Sequence, residues 1–311
     1  MSAFPASPIG LRGLVVAPVT PFTAAGGIDL DAIAPLCRHC LAQGVSGLFV
    51  CGTTGEGVSL AVAEREAVAE AWLTAAPAGV PVLVHAGALA LPDARRLAAH
   101  AERHRAAGVA VLAPCFLRPA DAAGVVEWIA AVAEACPRTP VTYYHIPALT
   151  GVAVRVREVV TLALARVPNF AGIKFTHEDL HDYAACLARW DGRLDLAFGR
   201  DEMLLAALAL GARSAVGSTW QVAGRLGGRI LAAHAAGDAA AARAAQGALG
   251  ALIEVLARHR FLPALRELLA LQGMPCGPCR APLRPLDDGE RRRLRADLLA
   301  LDGATDLALA A

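Results

Sequence analysis

Short runs of β-branched and apolar residues alternate with longer segments whose apolar positions recur three and four apart, up to about residue 235. Eight runs read as strands: 13–19, 47–51, 80–85, 109–113, 141–145, 170–175, 194–198 and 214–217. Segments between them, such as 60–75, 93–107 and 125–135, carry the one-sided apolar stripe of a helix that packs on a sheet. Strand and helix in strict alternation build a parallel sheet, and eight such units in roughly 225 residues match a (β/α)8 TIM barrel in count and length. A doubly wound sheet is the second architecture, but no Gly-x-Gly-x-x-Gly turn opens a helix after the first strand. Beyond Gly237 the strand signal stops and 239–258, 262–271 and 290–301 are helical in pattern. The expected organisation is a catalytic barrel over residues 1–235 and a C-terminal helical appendage over 236–311.

Composition narrows the class. With 56% of 311 residues hydrophobic and 18% charged, the chain can bury a large core. Its 29 basic and 28 acidic residues give a net charge of +1, so no general field gathers nucleic acid or anionic membrane. No apolar run reads as reaching the roughly 18 residues of a membrane helix. Residues 1–10 lack the basic-then-apolar order of a secretory signal, which predicts a cytoplasmic protein with its eight cysteines reduced. Cys37 and Cys40, and Cys276 and Cys279, have the two-residue spacing of zinc and redox motifs. The first pair lies in an amphipathic helical pattern and the second in a proline-rich loop, so both are read as packing residues.

The basic residues divide into 28 arginines and one lysine, Lys174. If the chain is a barrel, function belongs at the C-terminal ends of its strands. By the two-residue period of a strand, Gly172, Lys174 and Thr176 face one side and the apolar Ile173 and Phe175 the other, so Lys174 points into the barrel. An amine held away from water gives up its proton more readily, and a neutral amine is a nucleophile. An inward ion pair with Asp201 or Glu202 is the competing role for it. In Tyr143-Tyr144-His145, alternation puts only one phenol on the lysine's side, and Tyr144, nearer the strand end, is chosen as the proton-transfer group. The turn Cys51-Gly52-Thr53-Thr54-Gly55-Glu56-Gly57 offers two hydroxyls and glycine-freed N–H groups to a carboxylate or phosphate.

A different chemistry competes. His177-Glu178-Asp179-Leu180-His181 matches His-Glu-x-x-His, with Glu202 as a third ligand, the signature of a zinc hydrolase. Against it, His177 is expected in the opening turn of a helix capped by Thr176 and Asp179, so no metal is assigned. His100 and His104 are expected on a solvated helix face.

Gly52-Thr53-Thr54-Gly55-Glu56, Tyr144-His145-Ile146-Pro147 and Gly172-Ile173-Lys174, in that order, resemble the pyruvate-dependent class I aldolases that include dihydrodipicolinate synthase and N-acetylneuraminate lyase. Longer stretches, from Gly52, from Tyr143 and from Ala215, resemble the animal-type lyase branch, and the similarity runs from about Gly13 to Leu286. The resemblance implies a barrel with a C-terminal helical domain, a homotetramer, and no metal or organic cofactor. It implies an imine between Lys174 and the keto carbon of a sialic acid, with Tyr144 moving the C4 hydroxyl proton as pyruvate and N-acetylmannosamine separate. Thr53 and Thr54 would hold the carboxylate, and Thr54 would also orient the tyrosine hydroxyl. Gly199, Asp201, Glu202 and Ser218 match positions that hold the polyhydroxyl tail, and Thr176 is placed with them. The synthase branch carries an arginine two residues after the proline of the tyrosine motif; this chain has Leu149. Trp220-Gln221 and Cys115-Phe116 also depart from the common pattern, near the mouth, and leave the exact sugar open.

Overall fold

The computed structural model describes residues 8–301. The expected absence of a leader concerns residues that lie partly outside this range, as do both ends of the expected two-part division. Eight parallel strands close into a barrel in chain order: β1 Gly13–Val16, β2 Gly47–Val50, β3 Val82–His85, β4 Gly108–Leu112, β5 Val141–His145, β6 Phe170–Phe175, β7 Asp195–Phe198 and β8 Ser214–Gly217. The helices are α1 Ile33–Ala42, α2 Val62–Ala75, α3 Leu91–Arg103, α4 Ala122–Ala133, α5 Pro147–Thr150, α6 Val156–Arg166, α7 Leu180–Trp190, α8 Leu204–Ala209, α9 Trp220–Ala235, α10 Ala239–Arg258, α11 Phe261–Leu271 and α12 Asp288–Leu299.

The strands are buried on both faces, as a parallel sheet covered by helices requires. Two packing layers result. Val15, Phe49, Leu83, Ala110, Tyr144, Ala197 and Val216 fill the barrel interior. Leu14, Leu48, Val50, Val109, Tyr143, Ile173 and Phe175 face outward into the apolar stripes of the helices. Strand β5 pairs with β6 so that Tyr144 lies opposite Lys174.

Three expectations are corrected. Helix α7 begins at Leu180, capped by Asp179, whose carboxylate accepts the N–H of Asp182. Thr176 caps nothing: its N–H still donates to His145 in the sheet, and His177 precedes the helix. Helix α10, at 20 residues, does reach the length and apolar composition of a membrane-crossing helix. Its many alanines make it so, and Leu249, Leu252, Val255 and Leu256 are buried against the rest of the protein. Finally, His100 is buried rather than solvated.

Candidate active site

The turn after β2 is compressed. Cys51 and Glu56 both have positive φ, 57° and 52°, and a Cβ at Gly57 would collide with the Cys51 carbonyl, so glycine is required there. The turn is held from below by Glu56, whose buried carboxylate accepts Arg266 Nε at 3.1 Å, Arg266 Nη2 at 2.5 Å and the Arg280 N–H at 2.9 Å. No carbonyl among the described residues accepts the N–H of Thr53 or Thr54. Two hydroxyls and two free N–H groups are thereby presented at the mouth, a suitable seat for a carboxylate.

Every residue assigned from the sequence to the lysine chemistry and its substrate borders one cavity of about 350 Å3 at the C-terminal end of the barrel. Lys174 is 6% exposed, and its Nζ lies 4.3 Å from the Phe49 ring centroid and 4.1 Å from that of Tyr144. Among the described residues it makes no ion pair with Asp201 or Glu202. Asp201 is engaged by Thr219, whose N–H and hydroxyl donate at 2.9 and 2.7 Å. Burial pushes its carboxyl up to about 6 even though those hydrogen bonds pull the other way.

The threonine roles exchange relative to expectation. Thr53, not Thr54, meets the Tyr144 hydroxyl, at 3.2 Å, while Thr54 lies 2.7 Å from Ser218 Oγ. Tyr143 is on the outer face, its hydroxyl 3.3 Å from His145 Nδ1. Thr176 Oγ1 is buried without a hydrogen-bond partner among the described residues, and a Cβ at Gly199 would collide with it, so glycine there leaves that hydroxyl its space beside the cavity. Likewise a side chain at Gly217 would collide with Asp201.

Sequence reasoning missed four contributions. Phe49 forms part of the floor under the lysine, and alternation along β2 could have found it. Arg200 lines the cavity and is tied to Glu178 and, at 3.3 Å, to Glu202. Ile253 and Ala257 of α10, with Phe261 and Leu262 of α11, also line it, and no local signal marks them. Gln246 of α10 donates to the carbonyls of Asp201 and Glu202, fixing the loop after β7.

The histidines of the zinc motif do not converge with Glu202. His181 is exposed in the first turn of α7, and among the described residues no three-ligand cluster forms there. His177 packs edge-on against His145, ring centroids 5.5 Å apart.

A family model, the dihydrodipicolinate synthetase family, matches residues 10–301. The chain belongs to that family. Within it, the chain is similar to N-acetylneuraminate lyase of Gallus gallus, 39% identical over 88% of this chain and 90% of that protein. The Homo sapiens N-acetylneuraminate lyase is 38% identical over 94% of this chain and 93% of its own length. Among solved structures of the dihydrodipicolinate synthetase fold, N-acetylneuraminate lyase (sialic acid aldolase) from Aliivibrio salmonicida superposes with a TM-score of 0.91 at 36% identity, covering 94% of this chain and 97% of that one.

Proposed function

We propose that the protein is a lyase, a class I aldolase that cleaves N-acetylneuraminate to pyruvate and N-acetylmannosamine through an imine on Lys174. The observation that carries this reading is the sole lysine, buried at the cavity floor across the barrel ladder from Tyr144. Supporting it are relatives of that name at 37–39% identity.

In this reading the carboxylate of the sugar acid sits on Thr53 and Thr54 with their free N–H groups. Lys174 Nζ adds to the C2 carbonyl, and the Tyr144 hydroxyl gives its proton to the departing oxygen, so that water leaves and a protonated imine stands beside a Tyr144 phenolate. The C4 hydroxyl passes its proton to that phenolate, oriented by Thr53, as the C3–C4 bond breaks; the bond's electrons flow into the imine to give an enamine, and Tyr144 then holds the proton that C3 takes up. The aldehyde product departs, C3 takes up a proton, and hydrolysis releases pyruvate and the free amine. The imine is the electron sink, so the chemistry calls for no added cofactor. Asp201, Glu202, Ser218 and the unpartnered Thr176 hydroxyl hold the polyhydroxyl tail, with Gly199 leaving room for it.

A dicarboxylate reaction fits less well. Leu149 stands where the synthase branch carries arginine and is exposed beside a neighbouring cavity. Arg200 does reach the lysine cavity, but Glu178 and Glu202 already occupy it. We treat residues 1–235 as the catalytic barrel and 236–311 as its helical appendage. We further infer a homotetramer in the cytoplasm. Exposed Val58, Leu89, Phe116, Leu117 and Leu149 support self-association, and eight free thiols support a reducing compartment.

Borohydride added with pyruvate should inactivate the protein and leave a reduced adduct on the Lys174 peptide. The ratio kcat/KM should favour N-acetylneuraminate cleavage over condensation of pyruvate with aspartate semialdehyde. An unmodified Lys174 peptide would overturn the imine, and a larger value for the semialdehyde would overturn the substrate.

A further inference from the structure

The outer wall of the barrel holds a second cluster of chemically competent side chains that the chemistry at Lys174 does not use. His100 stands in the last turn of α3 and His104 one turn further on, at its C-cap, and Glu70 reaches across from α2; ligand atoms of the three all lie within 4.8 Å of one another. The imidazole rings stack, 4.3 Å between centroids and 23° between planes. His100 is buried, His104 half-buried and Glu70 exposed.

No hydrogen bond ties either imidazole to another described residue, and Glu70 makes no ion pair among them. The neighbouring Glu66 is committed elsewhere, to Arg96 at 2.9 and 2.7 Å. Two stacked imidazoles repel when both are protonated. Burial, followed by His104, pushes His100 down, with Glu66 and Glu70 opposing.

We propose that His100, His104 and Glu70 bind a divalent transition metal of zinc type, clipping α2 to α3. Two imidazoles and a carboxylate are the donor set such ions take, and water would complete a tetrahedron. Metal–ligand bonds of about 2.0–2.2 Å require the three atoms to draw in to roughly 3.4 Å apart. The exposed Glu70 side chain is free to make most of that movement. The site is separate from the Lys174 cavity: α3 starts at the catalytic end of the barrel and His100 lies about 13 Å down it at 1.5 Å per residue. Its effect is therefore on stability rather than on turnover.

The test uses tag-free full-length protein, stripped with chelator and then titrated calorimetrically with Zn2+, with Co2+ as a spectroscopic probe. Wild type should bind one Zn2+ per chain, melt at a higher temperature with it, and give the visible bands of tetrahedral Co2+. His104→Gln and Glu70→Gln should each weaken Zn2+ binding by about tenfold or more. Both should keep the metal-free melting temperature and the kcat of the stripped wild type, which separates loss of ligation from misfolding. The proposal is overturned if wild type takes up no Zn2+ at roughly 100 μM, or if either variant binds it as tightly as wild type.

Discussion

Breaking the ion pair under the threonine turn should both destabilise the protein and detune the site. Glu56 and Arg266 are 3% and 4% exposed, so water cannot replace either partner. In Arg266→Met, Glu56 keeps only the Arg280 N–H, and an uncompensated buried charge costs about 3–5 kcal/mol. In Glu56→Gln, the guanidinium keeps the carbonyls of Thr20 and Cys276, at 2.9 and 2.8 Å, and the Phe22 ring face. Its loss should be about 1.5–3 kcal/mol, the worth of the charge-assisted hydrogen bonds removed. The double variant buries neither charge, so its loss should fall short of the sum of the singles by about 1–3 kcal/mol. Thermal unfolding of the four proteins reads this at about 2 °C per kcal/mol for a chain of this size. Turnover of N-acetylneuraminate should fall in both singles, because the same carboxylate seats the turn whose Thr53 meets Tyr144. Additive melting shifts, or an Arg266→Met protein that melts with wild type, would refute the reasoning.

Tyr144→Phe should lower kcat by about a hundredfold or more, the usual worth of a proton-transfer group, or about 2.7 kcal/mol in the barrier. It should still allow pyruvate to be trapped on Lys174. Tyr143→Phe should instead cost about 1 kcal/mol of stability through the lost contact with His145, with turnover little changed; reversed effects would mean that the facing assignment is wrong. Asp201 binds its proton more tightly folded than unfolded, being pushed up to about 6 from an ordinary value near 3.8. Its contribution is therefore greatest below pH 4, declines as pH rises through about 4 to 6, and is level above. Subtracting the Asp201→Asn stability profile from that of wild type should expose this decline, and superimposable profiles would contradict it.

Regular strand was legible because period two and burial on both faces leave little freedom: alternation put Lys174 and Thr176 on one side and a single phenol with them, and its place nearer the strand end picked out Tyr144. Irregular backbone was not. Thr53 and Thr54 are consecutive in a turn entered through Cys51 at positive φ, where alternation assigns no face. Which hydroxyl meets Tyr144 is decided by a conformation that the residue types do not specify. Thr176 was misread as a cap because Thr-x-x-Asp looks the same at a strand end as at a helix start. The hydrogen bond from its N–H to His145 extends the sheet one residue further and passes the cap to Asp179. His100 and His104 read as solvated because the helix pattern of α3 carries no information about the acidic face of α2 opposite.

The contribution of the C-terminal helices was the least legible part, and it changes how the barrel itself is understood. Lys174, Tyr144, Thr53 and Thr54, to which we assign the chemistry, all come from the barrel, yet the turn holding the threonines is anchored by Arg266 of α11. The loop carrying Asp201 and Glu202 is tied by Gln246 of α10, which also accepts the N–H of Leu205. Both attachments span long stretches of sequence and act through backbone groups or a buried carboxylate, so no local pattern announces them. The strand ends supply the groups we assign to the reaction in fixed positions. Their loops, the parts free to vary with substrate, depend on side chains from outside the barrel for their shape. Changes at Gln246 or Arg266 should therefore alter tail recognition and proton transfer without touching a residue that meets the substrate.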